Sequence, residues 1–431
     1  MIYIYRLIRL NIDQFLYFLY RKNIIWLGLP LSIFARKFFL REFLPSKKNY
    51  SSLEELNSIV KKEFEMQMTN KLLENLKEQS EWKTTSIKGK KVFFIFSGNV
   101  KNSKKNIPGN TTDWVNSAKF AGCKTEKFDA TNISYNYNQS EISELDAKNI
   151  LESETKKLVK KISKFQPDLI FLDTNYPFTS RTINSETIRQ IRLVSSAKIT
   201  GIADDMYTDA AFASCERWAT FLDVVFFSAP GWSNRSVRNI LFVPYTSDPY
   251  RFYPARKKNK NLFFSGIGNI PRYGYLFAAK RYCLNNNINH YIQPHKREVK
   301  YSLSRKRFDR YIRESTAVLE ATARSSTVRP TGGRTYNSIA CKTLLIMEKT
   351  KQMNGVLVPY IHYIPFDSIK ELEIAIQFSN ESKLLANKIT NNAYQYYKKY
   401  YEGDKVWQLI FLFSSNPEII NKPKKNKKSL D

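Results

Sequence analysis

The feature that most constrains this chain is a series of short, unbroken apolar runs separated by helix-length segments. The run KVFFIF at residues 91–96 is typical, since it is apolar after its first residue and ends at Ser97, Gly98 and Asn99. Such a run predicts a strand of a parallel sheet that is covered on both faces. Strands that alternate with helices indicate the α/β class. The predicted strands are residues 91–96, 169–172, 198–203, 223–228, 241–244, 261–266, 289–292, 344–347 and 363–367; the predicted helices are 51–82, 140–165, 275–285, 305–320, 371–378 and 382–401.

The runs form two sets on either side of a charged segment at residues 256–260. The chain is long enough for each set to have a core of its own. We therefore predict four regions, which are an N-terminal helical extension at 1–88, a Rossmann-like domain at 89–255, a second Rossmann-like domain with a C-terminal helix at 256–415, and a basic tail at 416–431. The two domains are expected to face a cleft, because parallel sheets bind ligands beyond the carboxyl ends of their strands.

One segment of the second set has the features of a diphosphate site. Residues 329–348 read RPTGGRTYNSIACKTLLIME, which predicts a turn, a helix start and then a buried strand. Gly332 and Gly333 let backbone amides approach a ligand, and a helix start offers unpaired N–H groups and partial positive charge. Arg329 and Arg334 flank the turn and can hold phosphate in a bidentate fork. The alternative is that both arginines are solvated or form salt bridges.

Two further groups of polar residues follow predicted strands. Asp204 and Asp205 end the strand at 198–203, where one of them could act as general base on an acceptor hydroxyl or bind the acceptor. The alternative is an N-cap for the next helix. Ser97, Gly98 and Asn99 either allow a ligand close to the backbone or form a plain turn.

Composition limits the partners. The formal net charge is +30, from 69 basic and 39 acidic side chains, which favours a membrane surface, nucleic acid or phosphorylated substrates. The alternative is a solvated lysine surface that reflects a biased coding sequence. No arginine-rich arm, zinc-finger spacing or RNA-binding aromatic motif is present, so we expect no nucleic-acid partner.

The four scattered cysteines and three histidines predict a reduced, cytoplasmic protein without a metal site.

The first 45 residues are rich in aromatic and aliphatic side chains with interspersed arginine and lysine. This pattern suits two helices lying in the interface of an anionic membrane, on its cytoplasmic face. The alternative is a helical extension that packs on the body of the protein. The apolar run at 23–35 is too short to span a bilayer, and no small-residue cleavage site follows it.

Taken in order, several segments resemble the GT-B glycosyltransferases, in particular the bacterial branch related to the spore maturation protein CgeB. The segments are QPDLIFLD, ITGIADDMYTD, DVVFFS, LFVPYTSDPYRFYP, NLFFSGIGNIPRYG and GGRTYNSIACKTLLIME. The resemblance covers roughly residues 90–400, and exostosin-type GT-B enzymes are similar in the second half.

The resemblance implies a metal-independent enzyme without a bound cofactor, whose C-terminal domain holds a nucleotide-sugar donor. Gly332, Gly333 and Arg334 would then face the donor diphosphate. Gly266 and Arg272 stand where related enzymes have a glycine turn and a basic phosphate contact. Asn337 stands where the family has a glutamate that holds the donor ribose, so the charge-assisted grip is missing.

The function implied by the resemblance is transfer of a sugar from a nucleotide-sugar donor to an acceptor hydroxyl, on a cell-envelope glycan or a lipid-linked precursor. The alternative is a non-catalytic GT-B-like scaffold that binds glycan or membrane, which the asparagine at position 337 favours.

Overall fold

The computed structural model describes residues 2–40, 49–69, 86–96, 111–130, 133, 142–174, 182–203, 209–228, 239–295, 303–321, 333–350, 353 and 356–416. The chain forms two compact units. Unit 1 consists of Met1–Trp82 and Pro249–Tyr400, and unit 2 of Lys83–Asp248 and Tyr401–Asp431. The units cut across the predicted boundaries, because the N-terminal extension joins the second Rossmann-like region and the last helix joins the first.

The elements alternate along most of the chain. The helices are α1 (Ile2–Arg21), α2 (Ile25–Leu40), α3 (Leu53–Thr69), α4 (Thr111–Phe120), α5 (Glu144–Phe165), α6 (Ser185–Val194), α7 (Asp209–Ala219), α8 (Ile270–Asn285), α9 (Arg305–Glu314), α10 (Gly333–Ala340), α11 (Ile369–Glu381), α12 (Lys383–Tyr400) and α13 (Gly403–Ser415). The strands are β1 (Lys91–Phe96), β2 (Lys124–Asp129), β3 (Leu169–Asp173), β4 (Lys198–Ala203), β5 (Val224–Phe227), β6 (Ile240–Phe242), β7 (Lys260–Ile267), β8 (His290–His295), β9 (Ser315–Glu320), β10 (Leu344–Glu348) and β11 (Ile364–Phe366).

Unit 2 is built on a parallel sheet with the strand order β2-β1-β3-β4-β5-β6. The five strands predicted in this part of the chain are present, with ends that differ by a residue or two. The sequence did not indicate β2. Its residues, KTEKFD, are mostly polar and only Phe128 is buried, which is the composition of an edge strand.

The last helix, α13, belongs to the core of unit 2. The ring of Trp407 lies 5.0 Å from Phe171 and 5.5 Å from Phe94, and its Nε1 donates a hydrogen bond of 2.9 Å to Ser117 Oγ. A Cβ on Gly403 would lie 2.8 Å from Ser117 Cβ, so the start of α13 needs glycine to approach α4. The predicted domain at 256–415 therefore loses its C-terminal helix to the other unit.

Unit 1 contains a second parallel sheet, in the order β11-β10-β9-β7-β8. The helix predicted at 305–320 is wrong in its second half. The helix α9 ends at Glu314, and the next six residues, STAVLE, form the central strand β9. The reason is that the basic residues of α9 lie mostly at the surface, whereas Ala317, Val318 and Leu319 are buried. The boundary between α9 and β9 is therefore visible as a change in burial, although the composition of residues 305–320 did not indicate it.

The N-terminal helices pack against the C-terminal part of unit 1, Pro249–Tyr400. Tyr20 of α1 donates a hydrogen bond of 2.7 Å to Ile292 O and packs on Phe277 at 5.2 Å. A Cβ on Gly28 of α2 would lie 2.3 Å from Phe277 Cζ, so glycine permits close packing between α2 and α8. A buried ion pair of 3.0 Å joins Arg36 to Glu348 at the end of β10. Within the described residues, no helix combines the length and the apolarity that crossing a membrane requires.

Candidate functional site

Three residues that the sequence predicts for the site, together with one glutamate that it does not, meet where β7 and β9 end and α8 and α10 begin. Gly266 lies near the carboxyl end of β7, and Arg272 lies in the first turn of α8. Glu320 is the last residue of β9, and Arg334 is in the first turn of α10. In a parallel sheet these strand ends and helix starts share one edge, which is where such folds bind ligands. We refer to Gly266, Arg272, Glu320 and Arg334 as the Glu320 cluster.

The two arginines share the carboxylate of Glu320. Arg334 Nη1 donates to Glu320 Oε2 over 3.0 Å, and Arg272 Nη2 lies 3.8 Å from Glu320 Oε1. Each guanidinium also donates to a main-chain carbonyl, Arg334 to Ser265 O and Arg272 to Ala321 O, both over 2.8 Å. The sheet itself therefore orients both arginine side chains.

Burial and an aromatic ring strengthen this arrangement. The side chains of Arg272, Arg334 and Glu320 are 10%, 12% and 9% exposed, so water screens their charges weakly. The ring of Phe264 lies 4.8 Å from the guanidinium carbon of Arg334 and 5.6 Å from that of Arg272. Such cation–π contacts add to the interaction when the charge is desolvated.

Gly266 leaves room for the guanidinium of Arg334. A Cβ at this position would lie 2.5 Å from Arg334 Nη2 and 3.4 Å from Arg272 Nη1. Any larger residue would displace the end of the Arg334 side chain. The glycine and the two arginines are thus parts of one arrangement, although they lie far apart in sequence.

The helix α10 buries polar side chains beside this cluster. Thr335 and Asn337 are 0% and 4% exposed. Among the described residues, Thr335 Oγ1, Asn337 Oδ1 and Arg334 Nε have no hydrogen-bond partner. Buried polar atoms normally find partners, and an exception needs an explanation such as a ligand or an ordered water.

Sequence reasoning missed Glu320. The residue was placed at the end of a predicted helix, where a glutamate would be an ordinary surface residue. A signal was available, because a lone acidic residue follows the apolar residues Ala317–Leu319 and so ends a buried run. A charged residue at such a strand end lies at the ligand-binding edge of a parallel sheet.

Several predicted site residues lie outside the described residues. These are Asp204 and Asp205 after β4, Arg329 and Gly332 before α10, and Ser97, Gly98 and Asn99 after β1. Their roles stay predictions. Gly333 is described and is the first residue of α10, and its contact with a ligand also stays a prediction.

Cysteine and histidine contribute packing to the described structure. Burial raises the pKa of the thiols of Cys123, Cys215, Cys283 and Cys341 to about 12. Burial also lowers the pKa of His362 to about 4, and the Nδ1 of this ring accepts a hydrogen bond from Val358 N. The described ranges contain no group of three or more His, Cys, Asp or Glu side chains that could hold a metal ion.

Comparisons with known proteins bear on the family and the fold. Residues 256–411 match the family model described as "Glycosyl transferase-like". The fold is similar to that of sucrose-phosphate synthase from Thermosynechococcus elongatus, with 10% identity and a TM-score of 0.50 over 76% of this chain and 98% of that chain. It is also similar to an alpha-glucosyltransferase solved with UDP-glucose and DNA containing an abasic site, with 12% identity and a TM-score of 0.51 over 76% of this chain and 99% of that chain. A search of curated protein sequences finds no significant match.

The structural likeness confirms the predicted GT-B fold, and the family match covers the region that contains the Glu320 cluster. The narrower resemblance to the CgeB branch stays a prediction.

Proposed function

We propose that this chain is a GT-B glycosyltransferase that holds the diphosphate of its nucleotide-sugar donor at the Glu320 cluster. The sugar is then transferred to an acceptor hydroxyl. The observation that carries the proposal is the convergence of Gly266, Arg272 and Arg334 on one strand edge, at the start of α10. These residues belong to a strand end and two helix starts that meet only in the folded chain.

The chemistry of the leaving group explains why this arrangement suits sugar transfer. When the bond between the sugar and the diphosphate breaks, negative charge develops on the departing phosphate. Guanidinium groups that are already oriented stabilise this charge without reorganising, and such stabilisation is a large term in catalysis. The start of α10, at Gly333, supplies unpaired N–H groups and a partial positive charge for the same anion.

Asn337 is proposed to contact the donor ribose in place of the glutamate of related enzymes. Its amide is buried, and its Oδ1 has no hydrogen-bond partner among the described residues. An amide can accept a hydrogen bond from a hydroxyl, although without the gain that an ionised carboxylate provides. We expect a weaker hold on the ribose than a glutamate would give.

The remaining predicted residues complete the proposal. Asp204 and Asp205 follow β4 of unit 2 and would bind the acceptor or remove the proton from its hydroxyl. Arg329 and Gly332 would add to the diphosphate site, and Ser97, Gly98 and Asn99 would lie close to a ligand after β1. The acceptor is proposed to be a cell-envelope glycan or a lipid-linked precursor.

A donor assay tests the proposed function. The purified chain is titrated calorimetrically with a panel of nucleoside diphosphates and their sugar conjugates, and turnover is followed as release of the nucleoside diphosphate. We expect one base to be preferred, with binding that depends on the diphosphate. A chain that binds none of the panel contradicts the donor site. Binding without any turnover, in the presence of candidate acceptors, favours the non-catalytic scaffold instead.

We also propose that α1 and α2 attach the protein to the cytoplasmic face of an anionic membrane. Each helix buries one side in the core of unit 1 and exposes apolar side chains on another. Trp26 and Phe34 of α2 are 78% and 62% exposed, and Phe15 and Phe18 of α1 are stacked and about half exposed. The exposed Arg21 ends α1 and the exposed Lys22 follows it, and both side chains suit anionic headgroups.

Co-sedimentation with phosphatidylserine-containing vesicles tests the attachment. Deletion of the helices is unsuitable because α1 and α2 bury Leu16, Leu19 and Leu29 in the core of unit 1. The double variant Trp26→Ser, Phe34→Ser changes exposed side chains and should lower vesicle binding at least tenfold. The matched control Leu384→Ser removes an 88% exposed leucine of α12 and should bind like the wild type. Equal binding of both variants contradicts the proposed attachment.

A further inference from the structure

We infer that Glu320 is a positioning residue that holds both arginines in place and selects the donor over the diphosphate product. The inference rests on the proposed function, because it assigns a role within the donor site. Neither the apolar runs nor the family resemblance pointed to this residue.

Glu320 fixes the spacing of the two guanidinium groups. Its two oxygens are divided between the arginines, with Oε2 at 3.0 Å from Arg334 and Oε1 at 3.8 Å from Arg272. The carbonyl groups of Ser265 and Ala321 hold the same guanidiniums from β7 and from the end of β9. Both groups are therefore oriented before any ligand arrives, which is the condition for effective electrostatic stabilisation.

The charge of Glu320 also distinguishes the two ligands. A diphosphate that carries a sugar has two negative charges. After transfer, the terminal phosphate of the nucleoside diphosphate has a second ionisation with a pKa near 6, so the product has about one further negative charge at neutral pH. A nearby buried carboxylate repels the product more than the donor. Glu320 thus weakens retention of the product, while its hydrogen bond from Arg334 and its ion pair with Arg272 keep the arginines in position.

The substitution Glu320→Gln removes the negative charge of the side chain and keeps its size and shape nearly unchanged. Glutamine has nearly the same volume and keeps an oxygen that can accept from Arg334, but it has no charge. We expect the product to bind about tenfold more tightly and the donor only about threefold more tightly, because Coulomb repulsion scales with ligand charge. The turnover number should fall as product release slows. A purely structural role would not change the ratio of the two dissociation constants.

The substitution Glu320→Asp keeps the charge and shortens the side chain by one methylene group. We expect weaker binding of both ligands, with a ratio of dissociation constants close to that of the wild type. This variant also serves if the glutamine variant does not fold, since a ratio shifted towards the product in Glu320→Asp contradicts the charge argument.

The matched control is Asp309→Asn in α9 of the same unit. Asp309 is a buried carboxylate that also faces two arginines, Arg251 and Arg305, neither of which belongs to the Glu320 cluster. Its loss tests whether removal of any buried negative charge from unit 1 changes ligand binding. We expect an unchanged ratio of the product and donor dissociation constants.

The measurement is isothermal calorimetry with UDP and UDP-glucose first, followed by the adenosine, guanosine, thymidine and cytidine pairs until one binds the wild type. A ratio shifted by about threefold in Glu320→Gln, and not in Asp309→Asn, supports the inference. An unchanged ratio in Glu320→Gln overturns it and leaves the proposed function standing. If the wild type binds no pair, the proposed function and this inference fail together.

Discussion

Glu320 and Asp309 are two buried carboxylates of unit 1, and each faces two arginines, yet only the surroundings of Glu320 suit a ligand. Asp309 lies within α9, where Arg251 grips both of its oxygens and Arg305 Nε lies 3.7 Å away. Arg313 in turn donates to the main-chain oxygen of Arg251. These contacts join a helix to the segment that follows β6, which is a structural role.

The Glu320 cluster differs in what surrounds the charges. It has a glycine without room for a side chain, a helix that starts beside it, and buried polar atoms of α10 that lack partners among the described residues. The comparison teaches that two arginines and a carboxylate are not by themselves a binding site. A site also needs backbone that a ligand can approach, at the edge of the sheet where helix starts converge.

The largest expected effect compares Arg334→Ala with Arg251→Ala. Loss of Arg334 should lower donor turnover by about 100-fold or more, because an oriented donor group for the leaving phosphate is removed. Loss of Arg251 should lower the free energy of unfolding by about 3 kcal/mol, because the buried Asp309 keeps only a distant partner, and should leave donor affinity unchanged. Turnover assays and denaturant unfolding on both variants measure the contrast. Normal turnover in Arg334→Ala removes this arginine from the site.

A smaller contrast is expected between Gly266→Ala and Gly274→Ala. The new Cβ at 266 would lie 2.5 Å from Arg334 Nη2, which is the far end of a flexible side chain. The guanidinium can therefore move away, and the free energy of unfolding should change little. Donor affinity should fall about tenfold, since misplacement of a catalytic group by about an ångström is costly.

Gly274 lies within α8 and serves as the control. A Cβ at this position would meet its nearest atom, Ser32 Oγ, at 3.7 Å. Gly274→Ala should therefore raise the free energy of unfolding by about 0.5–1 kcal/mol through helix propensity, without a change in donor affinity. Equal donor affinity in both alanine variants would mean that the Gly266 contact has no part in binding.

The next expected effect concerns the buried polar atoms of α10. If Asn337 contacts the donor, Asn337→Ala should lower donor affinity about fivefold, the cost of one hydrogen bond to a neutral partner. The free energy of unfolding should change little or rise, since a buried amide oxygen without a partner among the described residues is removed. Calorimetric dissociation constants and thermal unfolding distinguish the outcomes, and unchanged affinity would make Asn337 a packing residue like those of the Asp309 region.

The smallest expected effect concerns Asp13 of α1, a third carboxyl group of unit 1. Its pKa is shifted chiefly by burial, and not by an arginine as close as those beside Glu320 and Asp309. Burial raises the pKa of Asp13 to about 6, and the backbone hydrogen bond to Ile270 and the charge of Arg9 only partly offset this. A carboxyl whose pKa is raised on folding stabilises the fold below its unfolded pKa and loses that contribution as the pH rises through 6.

The free energy of unfolding should therefore fall by about 1 kcal/mol between pH 4 and pH 7.5 on account of Asp13, after a discount for its partial exposure. Asp13→Asn should abolish that part of the pH dependence. Unfolding at several pH values measures the slope of both proteins. An identical slope in wild type and variant would contradict the assignment to Asp13.

The strands that could be predicted are those whose own sequence contains a run of apolar residues, which indicates burial. β1 and β3 are apolar except for one residue each, and every residue of β4 after Lys198 is buried; the sequence predicts these three strands and also β7. The edge strand β2 has a polar sequence, so only its pairing with β1 reveals it. β9 was merged with the preceding basic helix, although it is the centre of its sheet.

The site was predictable in part for the same reason. Gly266, Arg272 and Arg334 were identified from local turns and from the family resemblance, and they do lie together. Their shared partner Glu320 was not, because its role depends on contacts with residues 48 and 14 positions away in the chain, which no local pattern encodes.

The sequence by itself determined the α/β class, most of the strands and the candidate glycine and arginine residues, because hydrophobic runs and turn residues act over short distances along the chain. Only the tertiary structure decided which arginines share a carboxylate, which unit receives the first and last helices, and which apolar side chains of α1 and α2 stay exposed. Those outcomes depend on packing between residues that are distant in sequence, and burial of a charge or a ring is defined only once both partners are in place.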